Sequence, residues 1–115
     1  MPADCLFCRI VKREIPSRIV EETDQILAFE DVHPQAPTHV LVIPKRHLPD
    51  LAAATAADSA LLGELMLAAA RVARQRQLDT AGFRLVANSG PDAGQTVLHL
   101  HLHLLAGRPF AWPPG

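Results

Sequence analysis

The chain has 115 residues, 11 basic against 12 acidic side chains, a formal net charge of −1 and two cysteines. Near-neutrality removes the electrostatic basis for a nucleic-acid or anionic-lipid surface, so the expected partner is a small molecule. No apolar run reaches the ~20 residues of a membrane helix, and Met-Pro-Ala-Asp-Cys has neither the basic nor the apolar region of a secretory leader, which predicts a cytoplasmic protein with no membrane partner. The length fits one domain over residues 1–115, small enough that association would help it bury apolar area.

From Cys5 to Arg13, apolar Leu6, Phe7, Ile10 and Val11 fall at helical spacing, and Pro16 stops the helix. The leading Cys5-x-x-Cys8 has three readings: small buried residues, a redox pair, or half of a zinc site. Two strands follow, Ile19–Glu22 and Ile26–Asp31, joined by the hairpin turn Thr23-Asp-Gln25. Asp31 at the end of the second strand reads, by itself, as an ordinary turn aspartate. Phe7, Ile10 and Phe29 suit an apolar slot for a purine ring, although any core would also use them. Pro34-Gln-Ala-Pro37 is a rigid connector, and His39–Ile43 is an apolar strand closed by Pro44. A lone histidine opening a strand, as His39 does, is usually structural.

Thr55-x-x-Asp58 reads as a capping-box variant ahead of a long helix whose inner stripe is Leu61, Leu62, Leu65, Met66, Ala69, Val72 and Ala73. Arg71, Arg74 and Arg76 suit the closing helix dipole, and this helix is expected to be scaffold. Phe83–Asn88 reads as a strand delivering Asn88 to a loop in which Gly90, Pro91 and Gly94 turn sharply and free backbone N–H groups for a phosphate. Leu98–Leu105 then alternates strictly, so the leucines are expected to face inward and His99, His101 and His103 outward, in a row spaced about 6.6–6.8 Å. A solvated face would be served equally well by Lys, Thr or Glu. The tail to Gly115 is too rich in proline for a helix and is expected to be extended over residues 108–115.

The run His99-Leu-His101-Leu-His103-Leu-Leu resembles the signature of the histidine triad nucleotide-binding family, and Gly94-Gln95-Thr96-Val97 with the closing Trp112-Pro-Pro-Gly115 resembles its Hint branch. The likeness extends from Cys5 to Gly115. It implies an α+β fold, a five-stranded antiparallel sheet with two helices, and a homodimer that joins two sheets into one of ten strands. It assigns nucleophilic attack on phosphorus to His101 and makes His99 a further member of the triad. His103 and Gln95 are to hold phosphate oxygens, His39 to orient the imidazoles from behind, and Asn88 with the amides of Gly94–Val97 to stabilise charge. Asp31, followed by Val32, matches the ribose position. The tail with Trp112 is to reach the neighbouring subunit's site. Thr96 stands where the branch usually has serine, and Leu98 where related chains often carry an aromatic.

Some bacterial members resemble this chain in carrying Cys5, Cys8, His47 and His99 as a structural zinc site, tetrahedral and closed to substrate. Catalysis itself is expected to need no cofactor. The reaction implied is hydrolysis of a purine nucleoside phosphoramidate through a nucleotidyl-histidine intermediate, releasing an AMP- or GMP-type nucleotide and an amine. Alternatives are a dinucleoside polyphosphate hydrolase of the Fhit type, a non-catalytic nucleotide-binding or partner-binding module, and a His-x-His metal hydrolase.

Overall fold

A computed structural model describes residues 4–115; residues 1–3, where the reading for a leader began, lie outside them. Helix α1 spans Leu6–Val11, and strands β1 (Ile19–Glu22), β2 (Ile26–Glu30) and β3 (Thr38–Pro44) follow. The long helix α2 covers Ser59–Gln75, and strands β4 (Phe83–Val86) and β5 (Leu102–Ala106) complete one five-stranded sheet, ordered β1-β2-β3-β5-β4. Every pairing is antiparallel. The α+β architecture with two helices is the one expected, and no helix among the described residues is long and apolar enough to cross a membrane.

Period-two alternation sorts the chain into two apolar clusters, one on each side of the sheet. Ile26, Ala28, Val40, Val42, Leu102 and Leu104 pack with Leu61, Leu65, Ala68, Ala69 and Val72 of α2. Their strand neighbours Leu27, Phe29, Leu41 and Ile43 pack instead with Phe7 and Ile10 of α1. The apolar stripe of α2 therefore covers one face, while the short α1 leaves part of the other open. Thr55 and Asp58 form the expected capping box, with the Asp58 carboxylate accepting from the Thr55 N–H at 2.9 Å, on a 3-10 turn that runs into α2.

The histidine stretch departs from the expected solvated strand. Only Leu102–Ala106 is strand, because β3 ends at Pro44, which lacks an N–H, and the Leu100 N–H goes to the Leu48 carbonyl at 2.6 Å. The alternation of faces continues through residues 99–103, but the histidine face is not open to water. His99 is 0% exposed and His101 6%, whereas Leu98, expected inward, is 63% exposed. Residues of α1 cover what an isolated strand would have left wet.

β5 is followed by Gly107, whose φ of +98° belongs to glycine, and a Cβ there would lie 2.6 Å from Pro37 Cβ. The tail beyond it carries no helix or strand. It is anchored by Arg84 donating to the Ala111 carbonyl at 2.9 Å and Arg108 donating to the Gln35 carbonyl at 3.1 Å. Gly107→Ala is expected to cost about 1–3 kcal/mol through backbone strain and the Pro37 clash, read as a lower Tm in thermal unfolding. An unchanged Tm would show that the turn is not held by Pro37.

Candidate functional site

A cavity of about 290 Å³ opens on the sheet face opposite α2. Phe7, Ile10, Phe29 and Leu41 form its apolar wall, Asp31 and Val32 one rim, Thr96 and Val97 another, and His101 and His103 its floor. Phe7 stands edge-on to Phe29 at 5.5 Å and to the His101 ring at 5.1 Å between centroids, so one α1 side chain joins the slot to the imidazoles. A flat heteroaromatic ring fits such a wall, and the polar groups converge at one end.

The hydrogen bonds settle how the imidazoles are protonated. His101 Nδ1 lies 2.6 Å from the His99 carbonyl, which accepts only, so Nδ1 carries the proton and Nε2 of the neutral ring keeps a free lone pair. The Gln35 N–H donates to His39 Nδ1 at 3.0 Å, which places the His39 proton on Nε2. That Nε2 lies 2.9 Å from His103 Nδ1 and 3.3 Å from Asp31 Oδ2. His103 therefore accepts at Nδ1 and holds its own proton at Nε2 as a donor. Burial pushes the His103 pKa down to about 4, and His101 and His39 beside it push the same way. His39 is lowered by burial, against the pull of Asp31.

His99 uses both nitrogens elsewhere. Its Nε2 donates to the Pro44 carbonyl at 2.7 Å, leaving Nδ1 as a lone pair 3.4 Å from Cys5 Sγ and 3.6 Å from Cys8 Sγ. Neither nitrogen faces the cavity, so its contact with the floor runs through its carbonyl. His47 Nδ1 lies 3.3 Å from Cys8 Sγ, and the four ligand atoms lie within 4.8 Å of one another. A tetrahedral zinc ion with Zn–S of about 2.3 Å and Zn–N of about 2.0–2.1 Å places S and N roughly 3.5 Å apart, so the set fits zinc. Burial, and then the Cys5 thiol, push Cys8 up to about 11, so a cation there would supply the positive charge its thiolate lacks. The set is four-coordinate from protein atoms alone, which suits holding α1 to the histidine segment rather than binding a substrate.

Several residues singled out from sequence stand apart from the cavity. The Gln95 side chain braces its own loop: Oε1 accepts from the Gly90 N–H at 2.8 Å, and Nε2 donates to the Pro49 and Val97 carbonyls at 2.8 and 3.1 Å. Gly94 caps a 3-10 turn with φ +83°, and Asn88 lines a separate groove along β4. Trp112 is 83% exposed and does not line the cavity. Conversely, Ile15, Pro16, Ser17 and Leu41 line the cavity without having been singled out. Leu41 was within reach, being two residues from His39 on the same strand face, whereas residues 15–17 form an aperiodic turn with no signal.

The arrangement combines a lone pair held by a backbone carbonyl, a neighbouring N–H donor and a ring-sized apolar slot, a set suited to nucleophilic displacement on a nucleotide. The pattern of the HIT domain matches residues 12–110. An uncharacterised HIT-like protein of Synechocystis sp. is 58% identical over the full length of both chains, and a 14 kDa zinc-binding protein of Zea mays is 48% identical over 96% of this chain and 87% of its own. A HIT family hydrolase from Legionella pneumophila superposes with a TM-score of 0.96 at 47% identity, covering 97% of this chain and all of that one. Family pattern, relatives and fold agree, and the chain belongs to the HIT domain family.

Proposed function

We propose that this HIT domain is of the Hint type and hydrolyses purine nucleoside 5'-phosphoramidates. The observation that carries the reading is His101, its Nδ1 proton fixed on the His99 carbonyl and its Nε2 lone pair at the floor of an apolar cavity. The purine lies against Phe7, Ile10 and Phe29, and the ribose hydroxyls reach the Asp31 carboxylate beside Val32. Nε2 attacks the α-phosphorus, the P–N bond breaks, and the departing nitrogen takes a proton from solvent and leaves as an amine. The attacking ring becomes cationic, and the His99 carbonyl on Nδ1–H stabilises that charge. His103 Nε2–H donates to a phosphate oxygen, aided by the Thr96 hydroxyl and the Thr96 and Val97 amides, since the Gly94 and Gln95 N–H groups already donate to the Pro91 and Gly90 carbonyls. Water then attacks phosphorus, the N–P bond breaks, and the nucleotide is released.

Cys5, Cys8, His47 and His99 hold a structural zinc ion on this reading; the ion supplies cross-linking and stays outside the reaction. The edge strand β4, with Phe83 at its start, and Met66 and Leu67 at 53% and 55% exposure on α2 support a homodimer that extends the sheet to ten strands. Trp112 projects from the protomer as a tail residue that reaches a neighbour would.

His101→Ala is expected to lower AMP release from adenosine 5'-phosphoramidate by more than about 10³-fold while AMP binding, followed by calorimetry, persists. A wild type that binds AMP yet shows no turnover would make the chain a nucleotide-binding module instead. Cys8→Ser is expected to remove zinc in elemental analysis and to lower Tm; full zinc occupancy in that variant would sink the metal assignment.

The histidine pKa values also fix a dependence of stability on pH. His103, at about 4, stays neutral in the fold above that pH, and His39 is lowered in the same direction, whereas an unfolded histidine titrates near 6.5. Between about pH 4 and 6.5 the unfolded chain therefore binds more protons, and stability falls as pH drops through that window. Tm at pH 5 is expected below Tm at pH 7.5, with a smaller difference in His103→Asn; equal differences in both proteins would show that His103 does not contribute.

A further inference from the structure

Oxidisable sulfur lies directly behind the nucleotide slot. Cys5 precedes α1 and Cys8 sits in its first turn, and the Cys5 Sγ accepts from the Cys8 N–H at 3.4 Å. Cys8 is 1% exposed, whereas Cys5 is half-buried and lines a second cavity of about 570 Å³ together with His47. Leu6, Thr96 and Val97 line this cavity and the nucleotide cavity alike, so the two share a wall. A small solute in the second cavity therefore meets the Cys5 sulfur without entering the slot.

Two connections run from the cysteine pair to the reacting residues. Phe7 stands between the cysteines in sequence, and its ring lies edge-on to Phe29 at 5.5 Å and to His101 at 5.1 Å. His99 Nδ1 lies 3.4 and 3.6 Å from the two sulfurs, and its carbonyl holds the His101 Nδ1 proton. Cβ atoms one helical turn apart lie about 5–6 Å from one another, whereas a disulfide needs about 3.8 Å. Joining Cys5 to Cys8 therefore draws in the first turn of α1 by roughly 1–2 Å and carries Phe7 with it. It also takes both sulfurs from the zinc donor set, and the two histidines that remain are too few for a closed tetrahedral site.

We propose that Cys5 and Cys8 are a reversible oxidation site through which a peroxide shuts down the nucleotide site. The proposal rests on the zinc assignment above and not on which amine leaves. Sulfurs that ligate a cation are thiolates, the form that attacks peroxide. The Cys5 thiolate attacks one peroxide oxygen, the O–O bond breaks, and the departing hydroxide takes a proton to become water, leaving Cys5 as a sulfenic acid. The Cys8 thiolate then attacks the Cys5 sulfur, the S–O bond breaks, and a second hydroxide leaves and is protonated. Two electrons thus pass from the two sulfurs to the peroxide. A dithiol restores both thiols by exchange and itself ends as a disulfide.

The test treats the reduced, zinc-loaded protein with hydrogen peroxide. Peptide mass spectrometry reads the disulfide, a metallochromic dye reads released zinc, and the site is read by AMP calorimetry and by AMP release from adenosine 5'-phosphoramidate. Zinc release is expected to keep pace with the Cys5–Cys8 disulfide and AMP binding to weaken. Turnover is expected to fall by about 10²-fold, the effect of a displacement of about 1 Å near reacting groups. A dithiol with added zinc is expected to reverse all three changes, which methionine oxidation would not allow. Thiols that stay free, or a disulfide that joins two chains instead, would overturn the oxidation site. A Cys5–Cys8 disulfide that leaves AMP affinity and turnover unchanged would remove its control of the slot. If the reduced protein carries no zinc, the metal assignment fails and this proposal with it, while turnover still judges the hydrolase reading. If the reduced protein never turns the phosphoramidate over, the hydrolase reading fails, and the AMP titration before and after peroxide decides the proposal.

Discussion

The site depends on one hydrogen bond, from His101 Nδ1 to the carbonyl of His99. It chooses the tautomer, aims the free lone pair and offers a fixed dipole to any positive charge on the ring. That carbonyl can serve because residues 98–101 lie outside the strand ladder. The same residue's ring is held by the Pro44 carbonyl and faces Cys5 and Cys8, so the peptide unit that orients His101 is tied at both ends. A weaker tie would let the carbonyl turn and release the Nδ1 proton from its one partner.

The sheet's alternation separates this chemistry from the scaffold. Leu102 and Leu104 point into the core beneath α2, while His101 and His103 between them point to the cavity side. Adjacent residues thus answer to different demands. The leucine face is close-packed and tolerates little change of volume, whereas the histidine face must keep a space and a hydrogen-bond order. The cost of that order is visible in the depressed His39 and His103, whose protonation burial resists first and the neighbouring imidazoles second.

Much of the fold was legible because strands and helices announce themselves by period: the α2 stripe, apart from Met66, which is exposed, and the β1–β2 hairpin are where the residues place them, while β5 begins at Leu102 rather than Leu98. The His101 and His103 floor and the Phe7, Ile10 and Phe29 wall were likewise within reach of sequence and resemblance. What sequence missed is what depends on three-dimensional neighbours. Period two says that His99 shares a face with His101, but not that α1 lies over that face and buries it. Gln95 looks like a phosphate donor until the loop closes and its amide meets Gly90, Pro49 and Val97. Arg84 and Arg108 lie far apart in the chain and carry no shared motif; only strand register and the fold of the tail bring both to Phe110.

Across the open sheet face the chemistry changes in order. An apolar wall comes first, then the two imidazoles of the floor, with burial pushing the His103 pKa down, then a pair of guanidinium groups in the next lane. Were the arginines against His103 itself, their charge would depress it further and compete with its N–H for phosphate oxygens. Set one strand step away, near solvent and on an aromatic ring, they leave the imidazole order undisturbed. On the proposed reading this order divides the labour: Phe7, Ile10 and Phe29 choose the nucleoside, and His101 and His103 perform the exchange.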